Sequence, residues 1–377
     1  MSIPSLAAFR DPTLARRLAA TIAATIDPTR KYRFMEFCGG HTHAIFRYGL
    51  AQLLPPQVQF IHGPGCPICV LPISRLDHAI ALATQHEITL CSYGDALRVP
   101  ASHRRSLLTA KADGADIRVI YSTQDAVQLA RTQPERHIVL FAIGFETTTP
   151  PTAVALHLAR AEHLHNFSVF SNHVLTPAAL RCILSAPAPQ RLELDGILAP
   201  SHVSTIIGTQ PYTFVAEEFQ IPIVVAGFEP LDVLQSVLRL VQQCNRGICA
   251  VDNQYTRAVT AAGNRKAQAL MASAFAIRPT FEWRGLGQLP QSGLKIAAEF
   301  AEFDAELRFS VTLNATKEVS GCACPDILRG IKQPPECQLF GKPCCPENPL
   351  GACMVSAEGA CAAYWQYRTA TRTTSLK

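Results

Sequence analysis

Apolar positions along the chain follow two periods. Residues 5 to 26 place them at helical spacing in an alanine-rich background that stops before Asp27-Pro28, which predicts a helix. Short β-rich runs then recur: YRFMEF, VQFIHG, ITLCSYG, IRVIYS, HIVLFAIGF, FSVFSN, LDGILAP and IPIVVAGF. Most are separated by longer helical patterns such as ISRLDHAIALATQHE, PPTAVALHLARAEHL and PLDVLQSVLRLVQQ. Strands alternating with helices predict parallel sheets covered on both faces. The fold class expected is therefore α/β, with two doubly wound parallel-sheet domains meeting near residues 122 to 135.

From about residue 280 the pattern breaks down. FEWRGLGQLPQSGLKI is punctuated by glycine, and GCACPDILRGIKQPPECQLFGKPCCPENPLGACMVSAEGACAAYWQY is dense in Cys, Pro and Gly. Such a segment cannot build a large core from its own apolar residues, so a metal centre is the expected staple. The organisation expected is a helical segment over residues 1–30, α/β domains over 31–125 and 126–280, and a Cys-rich region over 281–377.

Composition narrows the class. Apolar residues make up 48% of the 377, which marks a globular chain. No run of about 18 uncharged apolar residues predicts a membrane span. Arg10, Asp11, Arg16 and Arg17 interrupt any signal-peptide core, so a cytoplasmic address is expected. The net charge of +5 comes without a basic block, and neither nucleic acid nor membrane is expected as a partner.

Fourteen cysteines change the picture, because in a reducing compartment clustered cysteines favour metal ligation or redox chemistry. Cys38, Cys66 and Cys69 sit early, while Cys322, Cys324, Cys337, Cys344, Cys345, Cys353 and Cys361 crowd the end. The isolated Cys91, Cys182, Cys244 and Cys249 read as small apolar core residues.

Ligands of open α/β sheets bind beyond the carboxyl ends of the strands, and the polar side chains that stand out lie at such ends. Cys38, His41 and His43 follow YRFMEF; His62 and Cys66 follow VQFI; Asp95 follows ITLCSYG. Glu146 follows HIVLFAIGF, Asn172 and His173 follow FSVF, His202 follows GILAPS, and Glu229 follows IPIVVAGF. Glu146 and Glu229 read equally well as helix caps. The CGG and GPGC turns bring bare amides to a sulfur at a helix start, an arrangement that favours thiolate. Cys66-Pro67-Ile68-Cys69 suits either half of a zinc site completed by Cys38 and His41, or a redox dithiol. The late cysteines, with Cys345 skipped, run C-x-C-x12-C-x6-C-x8-C-x7-C. That is neither a ferredoxin run nor a zinc ribbon, and it supplies four ligands for a [4Fe–4S] cluster with two thiols to spare.

CGGHTH, GPGCPIC, GDALRVP, GFETTTPPTA, SNHVLTP, APSHVSTIIG and CMVSAEGACAAY occur in this order, and by them the chain resembles the HypD family of [NiFe] hydrogenase maturation factors over almost its whole length. The resemblance implies two α/β domains and a cluster-bearing third region. It implies a scaffold on which the Fe(CN)2CO unit is assembled with a small HypC-type chaperone, cyanide arriving from a HypE-type donor. By residue, it implies that Cys38 binds the iron with His41 nearby, and that Cys66 and Cys69 form a redox dithiol in the same cleft. The cluster region resembles that of ferredoxin–thioredoxin reductase. On that analogy Cys322, Cys337, Cys344 and Cys361 would ligate, and Cys324 and Cys353 would exchange, although the C-x-C spacing permits the opposite split. Amides of Gly39 and Gly40 are expected to meet the cyanide nitrogens, with His43 beside them. Asp95, Glu146 and Glu358 are candidates for proton handling or for structure. Cys345 and Pro325 depart from the family pattern, where threonine and glycine are expected. The competing expectation is an iron–sulfur thiol–disulfide oxidoreductase acting on a protein, without a cyanide-bearing iron.

Overall fold

The β-rich runs become strands β1 (Tyr32–Glu36), β2 (Val58–His62), β3 (Ile88–Tyr93), β4 (Ile117–Ile120), β5 (His137–Gly144), β6 (Phe167–His173), β7 (Gly196–Ala199) and β8 (Ile223–Val225). A further short strand, β9 (Val251–Asn253), was not anticipated. The computed structural model describes residues 6–187, 192–313, 315–317 and 319–373. One sheet has five parallel strands in the order β2-β1-β7-β8-β9, and the other has four in the order β4-β3-β5-β6.

Sheet membership does not follow a division at residues 125/126. The chain lays down β1 and β2, crosses to the second sheet for β3 to β6, and returns to place β7 beside β1. The expected boundary falls between β4 and β5, inside the second sheet. A parallel pair is joined by a crossover whose helices can be few or many, so sequence order alone does not fix which strands are neighbours.

Period-two alternation gives the central strands of the first sheet, β1, β7 and β8, two buried faces. Tyr32 and Phe34 pack with Val58, Leu198 and Val224 against Ile22 of the helix Pro12–Thr25 and Leu234 of the helix Pro230–Arg246. Met35 and Ile61 turn the other way, into a core shared with Ile197, Ile223 and the second sheet's Leu90 and Val139. Each wholly buried aromatic or branched side chain there contributes about 1.5–3 kcal/mol. By the same alternation Glu36 lies on the Tyr32–Phe34 face, and it too is buried.

The late region is tied into this core rather than set apart from it. Two antiparallel pairs join β10 (Phe275–Ile277) with β13 (Leu294–Ile296) and β11 (Thr280–Trp283) with β12 (Gly287–Pro290). Short helices follow at Cys324–Leu328 and Ala352–Val355, then a longer one at Ala360–Thr373. Ile327, Leu328 and Met354 pack in the same cluster as Met35, Ile61 and Ile68. Of the four isolated cysteines only Cys91 is a core residue. Cys182, Cys244 and Cys249 are partly exposed, and the Cys244 and Cys249 thiols donate to the Asp195 and Gln220 carbonyls. Among the described residues no helix is long and apolar enough to cross a membrane.

Candidate functional site

β1 ends at Glu36, and the helix Gly39–Arg47 starts three residues later with Cys38 as its N-cap. Cys38 is extended (φ −153°, ψ 128°) and 5% exposed. The amides of Gly40 and His202 reach its sulfur. The loops around it close because side chains are missing where they meet. A Cβ on Gly65 would lie 2.5 Å from Cys38 Cα, and one on Gly39 would lie 2.3 Å from Glu358 Cβ. Gly39 N–H donates to the Gly65 carbonyl at 3.1 Å, so it is already used and does not face a ligand.

Cys38 borders a cavity of about 510 Å³ whose walls include Pro67, Ile68, Asp95, Thr147, His202 and Glu358. The ends of five strands (β1, β2, β3, β5 and β7) and a late loop thus converge, as the strand-end positions led one to expect. The thiolate expected at this helix start is not favoured in the unliganded chain. Burial pushes the Cys38 thiol up, the Glu358 carboxylate adds to this, and the Gly40 and His202 amides offset only part. A cationic partner at the sulfur would reverse that balance. Glu358 is itself pushed up by burial and then by Asp95 across the cavity.

Several expected residues point elsewhere. His41 Nε2 donates to the Ala226 carbonyl at 3.0 Å beside Ser201, and its ring packs on Phe228. The wholly buried His41 therefore ties the helix to the end of β8 instead of lining the cleft. His43 meets Tyr367 Oη at 2.7 Å, on the C-terminal helix. Glu229 pairs with Arg10 and caps the helix Pro230–Arg246. Asn172 accepts from Arg75, and His173 Nε2 contacts Thr152 Oγ1 at 3.0 Å. His202 does line the cleft, its ring 4.2 Å from that of Phe228.

Glu146 is a cap. Its carboxylate accepts the Thr176 N–H at 2.8 Å and the Thr176 hydroxyl at 3.0 Å, at the start of the helix Thr176–Leu184. Burial outweighs these donors and pushes its carboxyl up to about 7. A folded-state value above the unfolded one gives stability that is complete below about pH 4.5 and lost as pH rises through 7. Glu146→Gln, whose amide stays neutral, should therefore gain on the parent chain between pH 5 and 8, by on the order of 3 kcal/mol. Urea midpoints at the two pH values check this; a constant difference would mean that Glu146 titrates normally in the fold.

Cys66 and Cys69 are joined as a disulfide at the start of the helix Pro67–Val70. With those two sulfurs bonded to each other and His41 turned away, the residues do not form a zinc shell with Cys38. Among the described residues no group of three His, Cys, Asp or Glu side chains forms a single-ion site.

The late cysteines form a different kind of site. Cys322, Cys324, Cys337, Cys344, Cys353 and Cys361 line one cavity with Ile327, Phe340 and Met354, and Cys345 is not among its walls. Cys345 instead sits in a tight turn with Asn348. A Cβ on Gly351 would fall 2.7 Å from Cys322 Sγ, so the glycine leaves the sulfur room. The amides of Leu350 and Gly351 reach Cys344 Sγ, and that of Cys324 reaches Cys322 Sγ. Burial and neighbouring thiols push Cys322 up to about 12 and push Cys361 well up too. So many sulfurs in one dry cavity suit a soft, positively charged inorganic centre, which neutralises thiolates that would otherwise repel each other. Cys324 Sγ and Cys353 Sγ stand 2.7 Å apart. Their two short helices pack on the helix that carries Cys66 and Cys69.

One group of this site has no place among the candidates read from the sequence. Glu36 was passed over inside an apolar run, though a carboxylate at an inward position of a buried strand is itself a signal. Glu358, a candidate from the sequence, sits in the Ser356–Glu358 loop, which joins the Cys353 and Cys361 helices and walls the Cys38 cavity, a placement that only the tertiary fold supplies.

The HypD family profile, described as "Hydrogenase formation hypA family", matches residues 13–368. The chain is 59% identical to the hydrogenase maturation factor HypD of Rhizobium leguminosarum bv. viciae over 362 residues, which cover 95% of this chain and 94% of that one. It is 58% identical to HypD of Azotobacter vinelandii over 361 residues, 95% of each chain. It is 48% identical to HypD of Escherichia coli K12 over 339 residues, 90% of each. With cysteines at both sites and a profile match over most of its length, the chain belongs to the HypD family.

Proposed function

We infer that this chain acts in hydrogenase maturation as the scaffold on which the Fe(CN)2CO unit is assembled, with Cys38 as the anchor of the iron. The observation that carries the reading is the placement of the Cys38 sulfur at a cavity bordered by the disulfide-bearing helix and by the loop between two late cysteines. Low-spin Fe(II) carrying CO and cyanide suits a soft thiolate. A cavity of about 510 Å³ has room for that cargo and for part of a partner. The partners fitting this role are a HypC-type small chaperone and a HypE-type cyanide donor.

Cys322, Cys337, Cys344 and Cys361 would hold a [4Fe–4S] cluster, with Cys324 and Cys353 as the adjacent exchange pair. Such a cluster supplies electrons one at a time. The chain's own part is thiol–disulfide chemistry. Reduction of the Cys66–Cys69 bond by two electrons and two protons gives a dithiol beside the cleft. Releasing cyanide from a thiocyanate breaks an S–C bond and takes up two electrons, leaving a thiolate on the donor. Re-forming the Cys66–Cys69 bond returns two electrons and two protons, and the step balances.

The Cys324–Cys353 contact favours a second reading, a thiol–disulfide oxidoreductase without a cyanide-bearing iron. An infrared spectrum of the full chain, purified anaerobically with its maturation partners, separates the two. Paired cyanide bands with one carbonyl band are expected. A brown complex lacking them would establish the oxidoreductase instead.

A further inference from the structure

Glu36 ends β1 beneath the helix Gly39–Arg47 and is wholly buried. Oε2 accepts the Cys38 N–H at 3.2 Å. Oε1 accepts the Thr42 hydroxyl and lies 2.6 Å from His62 Nδ1. His62 is the register partner of Glu36 on β2 and is also buried. A carboxylate taken out of water costs several kcal/mol, and a well-packed apolar side chain often serves stability as well or better. Here three donors from two segments, the capped helix start and β2, meet it, and both segments bear on the same sulfur. Cys38 carries the sulfur; Thr42 lies in the first turns of the helix that Cys38 caps; His62 opens the HGPGC loop whose Gly65 abuts Cys38 Cα.

We propose that Glu36 is a positioning residue for the cleft: it holds the Cys38 main chain so that the sulfur faces the cavity, and its negative charge strengthens that sulfur as an electron donor to bound iron. The inference rests on the reading of Cys38 as the iron's anchor. A more electron-rich sulfur makes the iron return more density to carbon monoxide, which weakens the C–O bond and lowers its stretching frequency. A residue that merely fills space would not move that band.

The test is the carbonyl band of the anaerobic complex with its maturation partners, read for the parent and three variants. Glu36→Gln keeps the shape and removes the charge; its band should move to higher wavenumber. Glu36→Asp keeps the charge but withdraws it by one methylene, and its band should fall between the two. Thr42→Val removes one donor and leaves the carboxylate, so its band should stay with the parent's. If Glu36→Gln does not fold, the Glu36→Asp band alone decides. Bands unmoved in the Glu36 variants, or moved equally by Thr42→Val, would overturn the proposal and leave Cys38's role intact. A parent complex without these bands would instead overturn the anchor reading and this inference with it.

Discussion

A Cys38→Ala chain, purified anaerobically with its maturation partners, should show no cyanide or carbonyl bands and leave the hydrogenase immature. No other sulfur is placed to substitute: Cys38 is the one cysteine bordering the cavity among the described residues. Cys66 and Cys69 do not border that cavity, and the His41 ring is committed to the Ala226 carbonyl. The amides of Gly40 and His202 would face a methyl group where they now meet sulfur. Truncating one small buried side chain costs roughly 1 kcal/mol, so the fold should survive. Cys91→Ala, in the interior of β3, is the control: it loses a similar volume in a separate core cluster that does not line the cavity, and should keep every band. Bands persisting in Cys38→Ala would place the iron elsewhere and sink the scaffold reading as drawn.

What the sequence made legible was local chemistry. The runs from YRFMEF to IPIVVAGF fall where strands form, because a strand buried on both faces needs a continuous apolar run. Cys38 and Asp95 line the cavity because strand ends open on the ligand side of parallel sheets. What stayed hidden depends on contacts between distant residues. Nothing in LDGILAP says that β7 pairs with β1, more than 150 positions earlier, rather than with β6. His41 and His43 are two residues apart on one helix, about 200° around its axis, so one ring meets β8 and the other Tyr367. Glu146 left two readings open, cleft carboxylate or helix cap, and the start of a helix 30 residues later, at Thr176, makes it a cap. Glu36 is the instructive omission, since its role depends on a register with β2 that only the folded sheet supplies.

The second large effect concerns the late cysteines. Cys361→Ala should lose the brown absorbance and nearly all bound iron, whereas Cys345→Ala should keep both. Cys361 is 8% exposed and faces the shared cavity, while Cys345 lies outside it in a turn with Asn348. If Cys361 is one of four ligands, as proposed, removing its thiolate would leave the inorganic centre open to water and loss. Because metal binding and folding are one equilibrium in a segment with so little core, the effect should reach stability as well. Ile327, Leu328 and Met354 hold that segment on the first sheet. Loss of the centre should therefore loosen the Ser356–Glu358 wall of the Cys38 cavity, read as faster proteolysis between residues 320 and 360. Cys324→Ala and Cys353→Ala settle the division of roles. A pair reserved for exchange, 2.7 Å apart, can lose either member and stay brown while failing to reduce the Cys66–Cys69 bond. Loss of colour in either variant would make that cysteine a ligand and release another of the six for exchange. A Cys361→Ala chain with parental iron content would remove Cys361 from the ligand set.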